Sequence, residues 1–389
     1  MPQLASNKLC TGCSACVSIC PKHCISMEKD ENGFLYPDIA APEKCINCKL
    51  CEKICPVLNN NGLNKQSGEA YAAYSLDNDI RLESSSGGIF TEIAKNVLEH
   101  EGKVYGAAYD SDFSVHHICV DKVEDLALLR GAKYSQSNLK ECFNEVKRQL
   151  QNNILVLFSG TPCQVAGLKS FLQKEYDHLL CVDFLCHGIP SPMVWTKYVQ
   201  YRANQDNRGI KPSKINLRSK QTGWSYYQYS NLYEYTGGIR YLSKSGEDIF
   251  MKLFIGDYIN RECCSHCLFK GYERASDLTI ADFWGIWDIL PEMDDNQGTS
   301  AVVVHSENGK QILASISTSL KIKPVTLEQI SQQNPSMLLS SKPNKKRNDI
   351  LELVKDDQFY KIKDLISNNK KKRKFIALVK QKIKGILKS

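Results

Sequence analysis

Nine of the chain's 17 cysteines stand in its first 55 residues, and eight of them repeat one spacing twice. Cys10, Cys13, Cys16 and Cys20 are followed by Pro21, and Cys45, Cys48, Cys51 and Cys55 by Pro56. Each member of the second run lies 35 residues after its counterpart in the first. Three thiolates two residues apart can wrap a tight loop around three corners of an iron–sulfur cubane. The fourth opens a short helix and points away to the other cubane, and the proline behind it sits where no backbone donor is needed. The spacing predicts two [4Fe–4S] clusters, one on Cys10, Cys13, Cys16 and Cys55, the other on Cys45, Cys48, Cys51 and Cys20. Zinc sites usually pair two short couples, and a disulfide framework suits small exported chains. Neither matches a tandem copy with proline after each fourth cysteine.

A second set is spread through the chain. Cys163 follows Gly160-Thr161-Pro162, Cys186 precedes His187-Gly188, and Cys264 and Cys267 form a C-x2-C couple after Arg261. Four thiols of this kind make a third [4Fe–4S] site chemically reasonable, and three other readings stay open. Cys163 at a helix start can be a nucleophile. Cys163 and Cys186 can be small core residues, and the couple can hold zinc with His187 or His266.

These residues need elements to position them. The run of Asn153–Phe158, the helical pattern of Cys163–Lys174 and the apolar run of His178–Leu185 predict a βαβ unit with parallel strands. Cys163 and Cys186 then both follow carboxyl ends of strands, where open α/β sheets bind ligands. Strands are also expected at Ala70–Ser75, Lys103–Tyr109, Asp277–Phe283 and Ser300–His305, and helices at Ile89–His100 and Glu141–Gln151. Lys214–Ser243 reads as an antiparallel section turning at Gly237-Gly238. The expected fold is therefore multidomain α+β and α/β. A ferredoxin-like unit occupies residues 1–58, a polar linker 59–69, an α/β region 70–150, a second 151–335, and a polar to basic tail 336–389.

Composition narrows the class. The hydrophobic fraction of 42% and charged fraction of 24% suit a water-soluble globular protein. There is no long apolar run of spanning length and no charged-then-apolar leader at the start. Many cysteines without such a leader point to the cytoplasm. The net charge of +7 is a property of the tail, because Lys370–Ser389 holds nine basic residues and no acid, leaving −2 for the rest. Phe375, Val379, Ile383, Ile386 and Leu387 recur there at near-helical spacing. This layout suits a helix lying on an anionic membrane, here the inner face, or else a solvated tail. No nucleic acid is expected as a partner.

Five ordered blocks carry a family resemblance: Ser84-Ser85-Ser86-Gly87-Gly88-Ile89-Phe90, Gly131-Ala132-Lys133-Tyr134-Ser135-Gln136-Ser137, Gly160-Thr161-Pro162-Cys163-Gln164, Cys186-His187-Gly188-Ile189-Pro190-Ser191, and Asp277-Leu278-Thr279-Ile280-Ala281-Asp282-Phe283-Trp284-Gly285. Between about residues 70 and 310 the chain resembles the coenzyme F-420 hydrogenase/dehydrogenase beta-subunit family, in which an N-terminal double-cluster domain is common. The resemblance implies an FAD-binding iron–sulfur oxidoreductase. Its third cluster would fall on Cys163, Cys186, Cys264 and Cys267. Cys263 beside Cys264 leaves a C-x3-C register as the alternative.

With that resemblance, Ser86, Gly87 and Gly88 before a helix become candidates to give exposed N–H groups to the flavin's phosphates; alone they read as a cap. Lys133 offers a charge and Tyr134 an aromatic face. Asp282 either orients a cofactor group or caps a turn. His187 is a candidate acid–base group or a hydrogen-bond partner of cluster sulfur. No G-x-G-x-x-G is apparent, so a standard dinucleotide fold for NAD has no support. The expected partners are a ferredoxin-like electron donor or acceptor and a small-molecule substrate or deazaflavin. The alternatives are a non-catalytic electron-transfer subunit of a larger complex, or a transferase using Cys163.

Overall fold

The computed structural model describes residues 1–59 and 67–366. Most of the expected linker, and the basic segment from residue 367 on, lie outside the described residues. The N-terminal unit is a small hairpin, β1 (Ser26–Lys29) and β2 (Leu35–Asp38), flanked by the single-turn helices Ala15–Ser18 and Leu50–Lys53. Each helix carries the third cysteine of its run, Cys16 or Cys51, after Ser14 and Lys49 in the left-handed region at φ 62° and 57°. It ends before Cys20 or Cys55, so the fourth cysteine follows a helix where the spacing predicted that it would open one.

An eight-stranded mixed sheet forms the body. Its strands in the first half are β3 (Glu69–Ser75), β4 (Lys103–Tyr109), β5 (Val115–Val120), β6 (Val156–Ser159) and β7 (Leu179–Phe184). A separate antiparallel three-stranded sheet follows, made of β8 (Lys214–Ser219), β9 (Ser230–Glu234) and β10 (Arg240–Lys244). The chain then returns to the large sheet as β11 (Leu278–Asp282), β12 (Ser300–Val304) and β13 (Leu320–Val325), giving the order β13-β3-β12-β11-β7-β6-β4-β5.

β6 and β7 pair in parallel, Phe158 opposite Cys181, with helix Pro162–Leu172 between them in sequence. β4 and β11 run parallel to β6 and β7 respectively. The carboxyl ends of these four strands therefore face one edge of the sheet. The expected boundary at residue 150 does not separate two sheets, because the β4–β6 pairing crosses it.

Apolar clusters cover both faces. Helix Ile89–Glu99 buries Ile93, Ala94 and Val97 against one face. Helices Cys142–Gln151 and Pro162–Leu172 cover the other, where Cys13, Ala15 and Ile54 of the N-terminal unit join the same core. Gly167 explains how close that docking is: a Cβ there would lie 2.8 Å from Cys13 Cβ and 2.9 Å from its sulfur.

The polar tail expected from residue 336 begins later. Helix Arg347–Lys355 and a helix over 359–366 bury Ile350, Leu351, Val354, Phe359 and Ile362 against helix Pro192–Asn207 and the three-stranded sheet. Their apolar residues recur at helical spacing among mixed charged residues, which composition alone conceals.

Candidate iron–sulfur centres and the adjoining polar crevice

The N-terminal cysteines border two cavities. Cys10, Cys13, Cys16 and Cys55 line one of about 410 Å³, and Cys20, Cys45, Cys48 and Cys51 line one of about 320 Å³. Cys51 borders both cavities, and Cys24 is a fifth thiol in the second, its sulfur 3.4 Å from that of Cys20. Cys24 is thus a cavity wall as well as packing.

Cys163, Cys186, Cys264 and Cys267 line a third cavity of about 640 Å³, and Cys263 borders it too. The βαβ unit supplies the first two thiols from its strand ends, and a 3-10 turn over Glu262–His266 brings the others. The capping box of Thr161 and Gln164 fixes the start of helix Pro162–Leu172 and hence the position of Cys163. Thr11 and Val57 line this cavity and the first N-terminal one alike, so the three cavities form a continuous series.

The chemistry of the donors fits a cluster. Burial and the neighbouring Cys186, Cys267 and Cys264 push the Cys163 thiol well up, and burial and Cys264 push Cys186 up to about 12. Burial likewise lifts Cys13 to about 12. Thiols so placed become thiolates only beside a cation, which cluster iron would supply. A raised Cys163 is also the reverse of an activated nucleophile. None of the 17 cysteines is in a disulfide. Among the described residues no three His, Cys, Asp or Glu groups converge closely enough for a single metal ion.

Arg261 locks the N-terminal unit to the body. Its guanidinium is 1% exposed and donates to Cys10 O at 2.9 Å, Leu35 O at 2.9 Å and Gln136 Oε1 at 3.1 Å.

His187 projects into the third cavity. Its Nε2 lies 2.9 Å from Asp257 Oδ1, its Nδ1 3.3 Å from Ser336 Oγ, and Phe254 meets the ring edge-to-face. Nε2 is close to the carboxylate but has no hydrogen-bond partner, so Ser336 and Phe254 hold the ring. Phe254 also packs on Tyr134 at 4.9 Å, which leads from the thiols to a largely buried polar cluster.

In that polar cluster the structure brings together residues the sequence set far apart. Arg218, 5% exposed, places Nη2 2.6 Å from Asp282 Oδ1, lies over the Tyr229 ring at 3.8 Å and hydrogen-bonds Tyr134. Its Nε has no partner. Lys220 donates to Ser86 O at 2.6 Å and to Arg81 O. Burial, reinforced by Arg81, holds Lys220 down to about 7, and burial alone does the same to Lys133. Lys133 donates to the Arg130 carbonyl at 2.7 Å.

Ser86, Gly87 and Gly88 are buried rather than exposed. Gly87 N donates to Ser300 Oγ at 2.9 Å, and a Cβ there would meet Ala73 O at 2.5 Å. Close packing on β3 and β12 takes up the glycine, so that N–H is not free for a phosphate. Arg218 and Lys220 carry the polar cluster's unsatisfied positive character. Sequence reasoning missed both, and the only signal was basic side chains inside an otherwise aromatic and β-branched stretch.

Interleaved cysteine runs on a docked N-terminal unit, leading into a parallel-stranded body, define an iron–sulfur electron-transfer protein. Residues 9–59 match the 4Fe-4S dicluster domain. Residues 70–143 match the N-terminal domain of the coenzyme F420 hydrogenase/dehydrogenase beta subunit, and residues 155–329 match its C-terminal domain. The chain belongs to the coenzyme F420 hydrogenase/dehydrogenase beta-subunit family. It is similar in structure to a chain from the xenon-derivatised F420-reducing [NiFe] hydrogenase complex of Methanosarcina barkeri. The identity is 16%, the TM-score 0.47, and the match covers 81% of this chain and 95% of that one. No curated protein matches the sequence. Among the described residues no helix is long and apolar enough to cross a membrane.

Proposed function

We propose that this chain is an iron–sulfur flavoprotein oxidoreductase. It would exchange electrons between a ferredoxin-like carrier and an organic substrate or deazaflavin by way of two N-terminal clusters, a third cluster and FAD. The observation that carries the reading is the series of three thiol-lined cavities, joined through Cys51 and then through Thr11 and Val57. It ends beside the polar cluster of Tyr134, Arg218 and Asp282.

The residues of the polar cluster fit a dinucleotide. Arg218 has an unpartnered donor, and Lys220 and Lys133 are held near neutral pKa with carbonyls as their hydrogen-bond partners. An anionic phosphate would return them to the charged form. Asp282 orients the Arg218 fork, and the Tyr134 ring offers a face beside Phe254. A bound flavin supplies the conversion between one-electron and two-electron transfer. His187 holds the wall between thiols and polar cluster through Ser336 and Phe254. The basic segment Lys370–Ser389 would keep the protein on an anionic membrane surface at the cytoplasmic face.

Anaerobic purification with iron, sulfide and flavin analysis tests the cofactor set, which is expected at about twelve irons per chain. Cys163→Ser should lose about four of them and keep the rest. Unchanged iron with lost turnover would instead favour a Cys163 nucleophile. Turnover of the isolated chain with an artificial donor separates an enzyme from a subunit that only relays electrons. Loss of liposome binding on removing residues 370–389 checks the membrane contact.

A further inference from the structure

The three cavities differ in the charge of their walls. The first N-terminal cavity is lined by no charged side chain, although the buried Arg261 reaches its Cys10 and is shared with the third; the second is lined only by Lys22 and Lys49, both exposed to solvent. The third is lined by Arg261, Lys270 and Arg274 and by no carboxylate. Arg274 is 4% exposed and spends Nη1 on the Phe269 carbonyl, while its Nε and Nη2 have no partner. Lys270 donates to the carbonyls of Cys186 and Ser336. Two acids stand behind this wall without lining the cavity: Asp257, 2.9 Å from His187 Nε2, and Asp183, which interacts with Arg274 and whose Oδ1 accepts from Thr279.

We propose that Arg274 and Lys270 make the third site the electron sink of the chain, with the highest reduction potential of the three. This rests on the reading of the cavities as cluster sites. One-electron reduction adds one negative charge to a site, and a fixed buried cation stabilises that charge. A unit charge ~10 Å away at an effective dielectric of ~20 favours the reduced form more than about tenfold. The free N–H groups of Arg274 add hydrogen bonds to sulfur, which act in the same direction. Solvent at the outer sites also stabilises added charge, but high dielectric screens Lys22 and Lys49. Each electron delivered by a reduced ferredoxin-like donor to the N-terminal unit therefore moves to the third site and oxidises the unit behind it. The walls set a direction, from donor toward polar cluster.

The experiment is an EPR-monitored redox titration of the anaerobically reconstituted full chain. The expected result is that the third site, identified as the signal lost in Cys163→Ser, is reduced before the other two. Arg274→Met and Lys270→Met should each shift its one-electron equilibrium at least about tenfold toward the oxidised form, equal to 59 mV, with the other two signals unmoved. Arg274→Lys, which keeps the charge, should restore most of that shift. If Arg274→Met fails to retain iron, the Arg274→Lys and Lys270→Met titrations decide the matter. A third site with the lowest potential, or Met variants of full iron content with unmoved midpoints, overturns the proposal. Wild-type protein holding only about eight irons overturns the cluster reading itself.

Discussion

Arg261→Met should loosen the N-terminal unit from the body without unfolding either. Arg261 makes three hydrogen bonds from a charged donor, each contributing ~1.5–3 kcal/mol, and it covers the Tyr36 ring at 3.9 Å. Against this stands the desolvation of a guanidinium that is 1% exposed, several kcal/mol, with carbonyl and amide oxygens as its acceptors. Methionine removes both the gain and that cost, but it leaves the Cys10 and Leu35 carbonyls short of a donor, at ~1–3 kcal/mol each. Gln136 is spared, because its Oε1 still accepts from Leu35 N at 2.8 Å. The orphaned carbonyls decide the balance, and docking should weaken by about 3 kcal/mol, a factor of ~100 in local opening. Hydrogen–deuterium exchange reads this directly. Amides over residues 30–37 should exchange ~100-fold faster while those of helix Ile89–Glu99 keep their protection. A change under about threefold at residues 30–37, or equal acceleration in the helix, would refute the reasoning.

Gly167→Ala drives a methyl into Cys13 Cβ and sulfur and should cost about 1–3 kcal/mol, seen as a lowered unfolding midpoint together with an altered EPR signal from the first N-terminal cluster. Lys220 and Lys133, held down to about 7 by burial, bind fewer protons in the folded chain than in the unfolded one between about pH 7 and 10. Stability of the flavin-free protein should therefore rise with pH across that window and be reduced below it. Conversely, flavin binding at pH 8 should take up protons as phosphate restores the ammonium form, an effect visible by calorimetry in two buffers and diminished in Lys220→Met. Asp282→Asn leaves Arg218 without its carboxylate in a buried place; about 3 kcal/mol of stability should be lost, as measured by urea denaturation with flavin absent.

The amino-acid sequence by itself determined the local chemistry. Tandem cysteine runs with a proline after each fourth thiol specify loops whose geometry is set within a few residues, and the structure gathers them around two cavities. The β6–helix–β7 unit was legible for the same reason, since short apolar runs around a capped helix leave few alternatives. Only the tertiary structure decided what long-range contact controls. It buried Gly87 against β3 and β12, carried Arg218 and Lys220 from the three-stranded sheet to Asp282 and Ser86, and set Arg274 beside thiols from three separate segments. It also drew residues 347–366 out of an apparently polar tail into the core. Spacing encodes what neighbours along the chain can do together. Burial and charge pairing depend on which distant segments close over a residue, and no local pattern records that.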